Sequence, residues 1–154
     1  ASLESASFVG AFRELLAPHA NLRPYLLIEV TESSTIEDLE TAENVLATLR
    51  RDGHALCLDD FGAGAASFQY IQALTVDYVK IDGAYVRRVL SNPRDQAILK
   101  AMVQLCGELG IGTIAEMVET DAHESKLLSL GVEYGQGYLF GRPMADTLLG
   151  TAQR

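Results

Sequence analysis

The sequence is poor in basic residues, in cysteine and in long hydrophobic runs, and each shortage excludes a class of protein. Its 154 residues carry 12 lysines and arginines against 21 acidic side chains, which gives a formal charge of −9. Such a surface repels phosphate backbones and anionic membranes, so we expect no contact of this segment with DNA, RNA or a membrane. One phosphorylated ligand remains compatible with this charge if metal ions supply the missing positive charge.

The shortage of cysteine and of apolar runs indicates the compartment. No run approaches the ~20 apolar residues of a membrane-spanning helix, and no secretion signal is found. Cys57 and Cys106 lie in apolar stretches, so we predict two buried thiols in a reducing cytoplasm. The histidines, His19, His54 and His123, have no metal-ligand spacing and are predicted to lie on the surface or in loops.

What the sequence does have is an alternation of helical and strand-like segments. Five helices are predicted. The first covers 2–16, the second begins at a capping box at Ser34 and Glu37 and ends at Gly53, and the third follows a glycine loop near residue 64. The fourth runs from Pro93 to near Gly110, and the fifth follows a cap at Asp121. Continuous apolar runs predict strands, and these lie at 25–30, 54–60, 77–82, 113–119 and 133–140.

This alternation predicts βαβ units, and therefore a parallel sheet covered by helices. The 154 residues form one domain or one piece of a domain. Five strand–helix units cannot close an eight-stranded barrel, which usually takes about 250 residues. An open five-stranded sheet is ordinary at this length, and the pattern alone favours it.

Polar residues recur at the carboxyl ends of the predicted strands, where active sites of parallel α/β proteins assemble. Apolar neighbours flank Glu29, Asp59 and Glu116, so helix capping explains these acids poorly. Burying several carboxylates together is costly unless cations compensate them, and oxygen ligands favour Mg²⁺ or Mn²⁺. Lys80 adds a positive charge suited to a phosphate. The residues predict a carboxylate-rich metal site that handles a phosphate ester.

Five segments also resemble, in order and spacing, successive motifs of the EAL domain family. They are IEVTES (28–33), LDDFGAG (58–64), VKID (79–82), IAEMVET (114–120) and GQGYLFGRP (135–143). That family contains bacterial phosphodiesterases that cut cyclic di-GMP to linear pGpG with Mg²⁺ or Mn²⁺. The resemblance covers roughly residues 2–146. It implies an incomplete TIM-like (β/α)8 barrel, strands four to eight with their helices, in place of the open sheet.

The resemblance implies a role for each matching residue. Glu29 resembles a metal ligand, Asp59 the carboxylate that bridges two metals, and Asp60 a ligand of the second metal. Glu116 resembles a catalytic glutamate that binds the second metal, and Lys80 a catalytic lysine beside the attacking water. The supporting residues that the resemblance implies are Glu32 and Glu119 for the loops, and Gln136 and Asp82 for ligand binding. The implied ligand is cyclic di-GMP.

The chain departs from the family pattern in several places. The Glu-Ala-Leu motif and a metal-binding asparagine are absent, and Ala63, Ala65 and Met117 stand where the family usually has threonine, tyrosine and glycine. We therefore expect residues 1–154 to be a truncated EAL domain, inactive alone, from a two-metal phosphodiesterase. A degenerate receptor that binds cyclic di-GMP without cutting it is the alternative, and a structural fragment without a ligand is a third. Exposed barrel edges predict a homodimer or other self-association.

Overall fold

The apolar runs form a single parallel sheet. A computed structural model describes residues 6–31, 38–64 and 67–143, and its strands are β1 (Leu27–Thr31), β2 (Ala55–Phe61), β3 (Tyr78–Ile81), β4 (Gly112–Ala115) and β5 (Tyr134–Gly135). They lie in the order β1-β2-β3-β4-β5, so that neighbours along the chain are neighbours in the sheet. A doubly wound open sheet reverses its order near the middle, whereas this consecutive winding is that of a (β/α) barrel. The described strands form a five-stranded sheet, and their consecutive order makes it part of a barrel rather than the complete open sheet that the pattern alone favoured.

Six helices lie between or before the strands in the described ranges. They are α1 (Ala6–Leu16), α2 (Leu39–Arg51), α3 (Ser67–Ala73), α4 (Gly83–Arg88), α5 (Pro93–Leu109) and α6 (Asp121–Ser129), and a 3-10 segment (Ala17–Tyr25) joins α1 to β1. The short α4 was not predicted. None of the helices in the described ranges is both long enough and apolar enough to cross a membrane.

Local side-chain chemistry sets the helix boundaries. The helix α5 begins at Pro93, as predicted, and the Asn92 side chain accepts hydrogen bonds from the Arg94 and Asp95 amides at its start. The helix α2 begins after Asp38, whose carboxylate accepts from the Thr41 amide. One predicted cap is corrected, because α6 begins after Thr120 rather than after a cap on Asp121. The predicted capping box falls at residues 34 and 37, outside the described residues.

The two faces of the sheet differ in chemistry. Because side chains alternate along a strand, residues in register share a face. Val30, Leu58 and Val79 are paired in register and almost wholly buried under the helices. Burial of each such side chain contributes roughly 1.5–3 kcal/mol. The opposite face carries Glu29, Lys80 and their neighbours, so the fold keeps its apolar core apart from its charged residues.

The last two strands are shorter than predicted. β4 ends at Ala115 rather than residue 119, and β5 covers 134–135 rather than 133–140. The chain bends after β4 because Met117 has a left-handed backbone, with a φ of 55°. After β5 it closes a turn in which the Phe140 amide donates to the Gly137 carbonyl at 3.1 Å. The polar residues at these strand ends therefore lie on loops.

The glycine that ends α5 gives a stability prediction with an internal control. Gly110 has a φ of 69°, a conformation that costs an alanine about 1 kcal/mol, whereas Gly107 is an ordinary helical residue with open space around it. Gly110→Ala is expected to lower the free energy of unfolding by about 1 kcal/mol, and Gly107→Ala to raise it by about 0.5–1 kcal/mol. Urea denaturation measures both, and equal shifts would contradict the left-handed cap.

Burial of the two thiols is confirmed, and His54, predicted to lie on the surface or in a loop, is a loop residue directly before β2 but is buried. Cys57 and Cys106 are buried, and burial raises the pKa of their thiols to about 12 and about 11. His54 lies against the Phe12 ring, 6% exposed rather than on the surface, and its Nδ1 has no hydrogen-bond partner. Burial and the nearby Arg23 charge lower the pKa of His54.

This buried histidine makes stability depend on pH. Because the pKa of His54 is lower in the folded state, the unfolded chain binds more protons just below its ordinary pKa of about 6.5. The contribution of neutral His54 to the free energy of unfolding is therefore complete above pH ~6.5, and it is lost as the pH falls toward the pKa of His54 in the folded state. We expect His54→Gln to flatten the free energy of unfolding between pH ~7 and ~5. His19→Gln, at an exposed position, should leave the slope unchanged, and an unaltered slope in both variants would contradict the assignment.

Candidate metal centre at the carboxyl edge of the sheet

Lys80 lies at the centre of a cluster of charges at the carboxyl edge of the sheet. Its Nζ is 2.7 Å from Glu116 Oε1, 3.1 Å from Asp59 Oδ1 and 3.2 Å from Glu29 Oε2. The lysine belongs to β3, which is flanked in the sheet by the strands β2 and β4. The register of four parallel strands therefore brings together four residues that are up to 87 positions apart in sequence, from Glu29 to Glu116.

A second grouping overlaps the first. Carboxylate oxygens of Asp59, Asp60 and Glu116 lie within 4.8 Å of one another, a spacing at which one metal ion can be held. Asp60 reaches this position because its backbone is left-handed, with a φ of 56°, at a point where the β2–β3 register shifts. A bulge that re-aims a side chain beside an active site is a common device.

The electrostatics of the cluster favour a bound cation. Burial lowers the pKa of Lys80, but the ion pairs with Glu116 and Asp59 outweigh burial and raise that pKa above its usual range. Lys80 is therefore charged, yet its single charge faces the carboxylates of Glu29, Asp59 and Glu116, and Asp60 lies nearby. Asp59 Oδ1 is buried and accepts no hydrogen bond of good geometry. An excess of negative charge at this partly buried edge of the sheet fits a divalent ion.

A groove beside the cluster is lined by residues of two loops. The lining residues are Glu116, Met117, Glu119, Gln136, Gly137 and Tyr138. The groove encloses about 210 Å³, and Glu119 and Gln136 are exposed in its walls. The Gln136 backbone joins the loops, since its amide donates to the Ala115 carbonyl at 2.8 Å and its carbonyl accepts from the Val118 amide at 3.0 Å.

Three residues of this groove, Met117, Gly137 and Tyr138, were not predicted as part of a site. Met117 is partly exposed, and its Sδ accepts from Arg87 Nη1 on α4 at 2.7 Å. Tyr138 is 60% exposed, with the Arg142 guanidinium 5.0 Å from its ring centre. An exposed aromatic ring offers a face on which another planar group can stack. In the sequence, Tyr138 follows Gly135 and Gly137, but only the fold shows that this glycine-rich segment lies beside Glu116.

Of the remaining predicted site residues, Asp82 lies within the part of the chain that the structure describes. Asp82 follows β3, and its carboxylate accepts from the Ala84 amide as the cap of α4. This bond gives Asp82 a local structural role, and ligand binding by it stays a prediction. Glu32 and Ala65 fall outside the described residues.

The loop that follows the aspartate pair is held by its own hydrogen bonds. Gly62 has a φ of 96°, its amide donates to Ser67 Oγ at 3.0 Å, and its carbonyl accepts from the Tyr85 hydroxyl at 3.2 Å. Ser67 Oγ also donates to the Gly64 carbonyl at 3.2 Å. These bonds fix the path of the chain directly beyond Asp60, so the loop supports the acidic cluster.

The fold and the cluster define a class of protein: a β/α-barrel domain with carboxylates spaced for a metal ion at the carboxyl end of its strands. A family model described as the EAL domain matches residues 1–143. The chain belongs to the EAL domain family, and its sheet is part of that family's TIM-like barrel.

Named relatives and solved structures agree with this assignment. The chain is 43% identical over 115 residues to the cyclic di-GMP phosphodiesterase PdeB of Shewanella oneidensis, covering 75% of the chain and 13% of PdeB. It is similar to the EAL domain of Mycobacterium smegmatis DcpA, with a TM-score of 0.88, 32% identity and coverage of 96% of this chain and 66% of that one.

A metal complex is also among the similar structures. The manganese and cyclic di-GMP complex of Klebsiella pneumoniae BlrP1 has a TM-score of 0.80 and 38% identity, with coverage of 90% of this chain and 36% of that one. The chain thus spans less than two thirds of PdeB and of each of these structures. Homologues of this chain bind cyclic di-GMP together with a divalent metal.

Proposed function

We propose that this chain is the metal-holding part of a domain that hydrolyses cyclic di-GMP to linear pGpG. The observation that carries the proposal is the convergence of Glu29, Asp59 and Glu116 on Lys80, at distances of 2.7–3.2 Å. The site lies at the edge of a β/α sheet where catalysis is usual. The phosphodiesterase name of PdeB supports the choice of reaction.

The metal would be Mg²⁺ or Mn²⁺, held by Glu29, Asp59, Asp60 and Glu116. The clustered oxygens of Asp59, Asp60 and Glu116 fit such an ion, because carboxylates are the ligands that hard cations prefer. When bound, a pair of such ions supplies a more acidic water and positive charge for the phosphodiester oxygens.

The protein's own residues position the reactants. Lys80 Nζ presents a positive charge beside the acidic cluster, where it stabilises negative charge that develops on the phosphate. Glu116 borders both the cluster and the groove, so it orients the attacking water toward a ligand in the groove. Glu119, Gln136 and Asp82 contact the nucleotide or steady the loops around it, and Glu32 steadies the loop beyond Asp60.

Residues 1–154 would form one truncated EAL domain, comprising strands four to eight of the barrel. The chain spans 66% of the DcpA domain structure. We expect hydrolysis by this chain alone to be slow, because ligands from the other strands are absent from its sequence. Both cysteines are free thiols, which supports a reducing, cytoplasmic location.

The open sheet edges support self-association of this chain. β1 and β5 each pair with a single strand of the described sheet, and Leu27 and Tyr134 at these edges are 38% and 52% exposed. Unpaired strand edges template pairing with another chain. We expect multi-angle light scattering of the 154-residue chain to give the mass of a dimer, and a monodisperse monomer would contradict this.

Calorimetric titration of cyclic di-GMP into the chain tests the proposed function. With Ca²⁺ present to suppress turnover, we expect saturable heat that disappears in EDTA and that cyclic AMP does not reproduce. Conversion to pGpG is then followed by chromatography with Mn²⁺. Absence of heat from a folded chain would contradict the binding site. Binding without any pGpG, even when the preceding barrel strands are supplied, would support the receptor alternative instead.

A further inference from the structure

The position of Lys80 suggests a task beyond contact with substrate. We propose that its ammonium group is a built-in counter-ion that holds the acidic cluster together before a divalent metal binds, and that it limits how tightly the metal binds afterward. The proposal rests on the proposed metal site and adds a positioning role for Lys80 in the protein without substrate.

The geometry supports a counter-ion rather than a simple pair. Lys80 Nζ contacts carboxylates from three other strands, Glu29 of β1, Asp59 of β2 and Glu116 near the end of β4. The lysine side chain is only 7% exposed, so water screens these contacts weakly. Each contact joins β3 to the chain of another strand, so the Lys80 ammonium group stabilises the arrangement of the strands at the carboxyl edge of the sheet.

Removal of this charge leaves the carboxylates without compensation. Like charges at short range in a partly buried site repel one another, and loss of one partner of a buried ion pair is strongly destabilising. Asp59 Oδ1 has no hydrogen-bond donor to replace the lysine. The free chain therefore depends on Lys80 for the positive charge at this edge.

The ammonium group and the metal share ligands. Asp59 and Glu116 belong both to the ion pairs of Lys80 and to the set of oxygens spaced for a metal, and that set also includes Asp60. Because like charges repel more strongly at low dielectric, the ammonium group weakens metal binding at the same oxygens. A variant without the charge should bind the metal more tightly.

The test compares Lys80→Met with Lys100→Met, which makes the same change at an exposed position on α5. In EDTA, Lys80→Met is expected to lower the melting temperature by roughly 10 °C, and the control by roughly 1 °C or less. Manganese should raise the melting temperature of Lys80→Met more than that of the wild type. Its Kd for Mn²⁺, measured by calorimetry, should fall about tenfold.

A double variant separates charge from packing. Lys80→Met combined with Glu116→Gln removes one negative charge together with the positive one, so its melting temperature in EDTA should recover toward the wild-type value. If Lys80 stabilised the protein only through packing of its aliphatic stem, the melting temperature of the double variant would not recover. If Lys80→Met is unfolded in EDTA, Mn²⁺ should restore its native circular dichroism, and failure to do so would overturn the proposal.

The outcomes for Lys80 and for the metal site are distinguishable. Equal melting temperatures of Lys80→Met and the control in EDTA, or an unchanged or weaker Kd for Mn²⁺ in Lys80→Met, would overturn the counter-ion role. If Mn²⁺ binds neither the wild type nor Lys80→Met, the proposed metal function fails. The loss of stability in EDTA and its rescue by Glu116→Gln would then still support the part of the proposal that concerns the free chain.

Discussion

Asp59→Asn is expected to weaken Mn²⁺ binding by at least ~100-fold, because even loss of a residue that only supports a metal ligand costs ~10–100-fold. Asp59 lies in both charge groupings, 3.1 Å from Lys80 and within the spaced set with Asp60 and Glu116. An asparagine keeps the shape and one oxygen, but it lacks the negative charge that a hard cation prefers.

The same substitution should leave the metal-free protein folded. It removes one negative charge from a site that has an excess of them, so the melting temperature in EDTA should stay within a few degrees of the wild-type value. Asp121→Asn, at an exposed position on α6, is the matched control and should bind Mn²⁺ as the wild type does. A Kd for Asp59→Asn within about threefold of the wild-type value would locate the metal elsewhere.

Gly137→Ala is expected to disturb both stability and the site. A Cβ at Gly137 would overlap the backbone nitrogen, carbon and oxygen of Val118. Backbone cannot rotate aside as a side chain does, so the segment between Glu116 and Glu119 must move. Overpacking of this kind costs about 1–3 kcal/mol or more. This corresponds to a fall in melting temperature of roughly 2–12 °C for a chain of this size.

The position of the methyl group is what matters in this prediction. Gly141→Ala makes the same chemical change four residues later, where an added Cβ meets nothing within 4 Å. That variant should melt within about 1 °C of the wild type and bind Mn²⁺ normally. Differential scanning calorimetry and metal titration measure both effects. Similar behaviour of the two variants would contradict the close approach of Gly137 to Val118.

Much of the fold follows from local pattern. Continuous apolar runs predicted β1, β2 and β3 to within about two residues, and Asn92, Pro93 and Gly110 bounded α5. These elements could be predicted because their signals are carried by residues adjacent in sequence. β4 and β5 ended early because a left-handed backbone at Met117 and the approach of Gly137 to Val118 are tertiary features. The helix α4 was missed because six residues are too few to show a clear period.

The candidate site, like the fold, could be predicted in part from the sequence. The acidic residues at the strand ends could be predicted to converge, since parallel strands bring their carboxyl ends to one edge. The placement of Lys80 within reach of Glu29, Asp59 and Glu116 required the register of the sheet. The burial of His54 against Phe12 was missed because it depends on how α1 packs at the far end of β2.

The consecutive strand order has a consequence for the order in which the site is assembled during synthesis. Each βα unit packs beside the unit made just before it, so the sheet can grow from β1 onward as the chain leaves the ribosome. When β3 has emerged, Lys80 has Glu29 and Asp59 within reach. The charge cluster is completed only after Glu116 is added. The nascent protein thus has a neutralising lysine in place before its last carboxylate, Glu116, arrives.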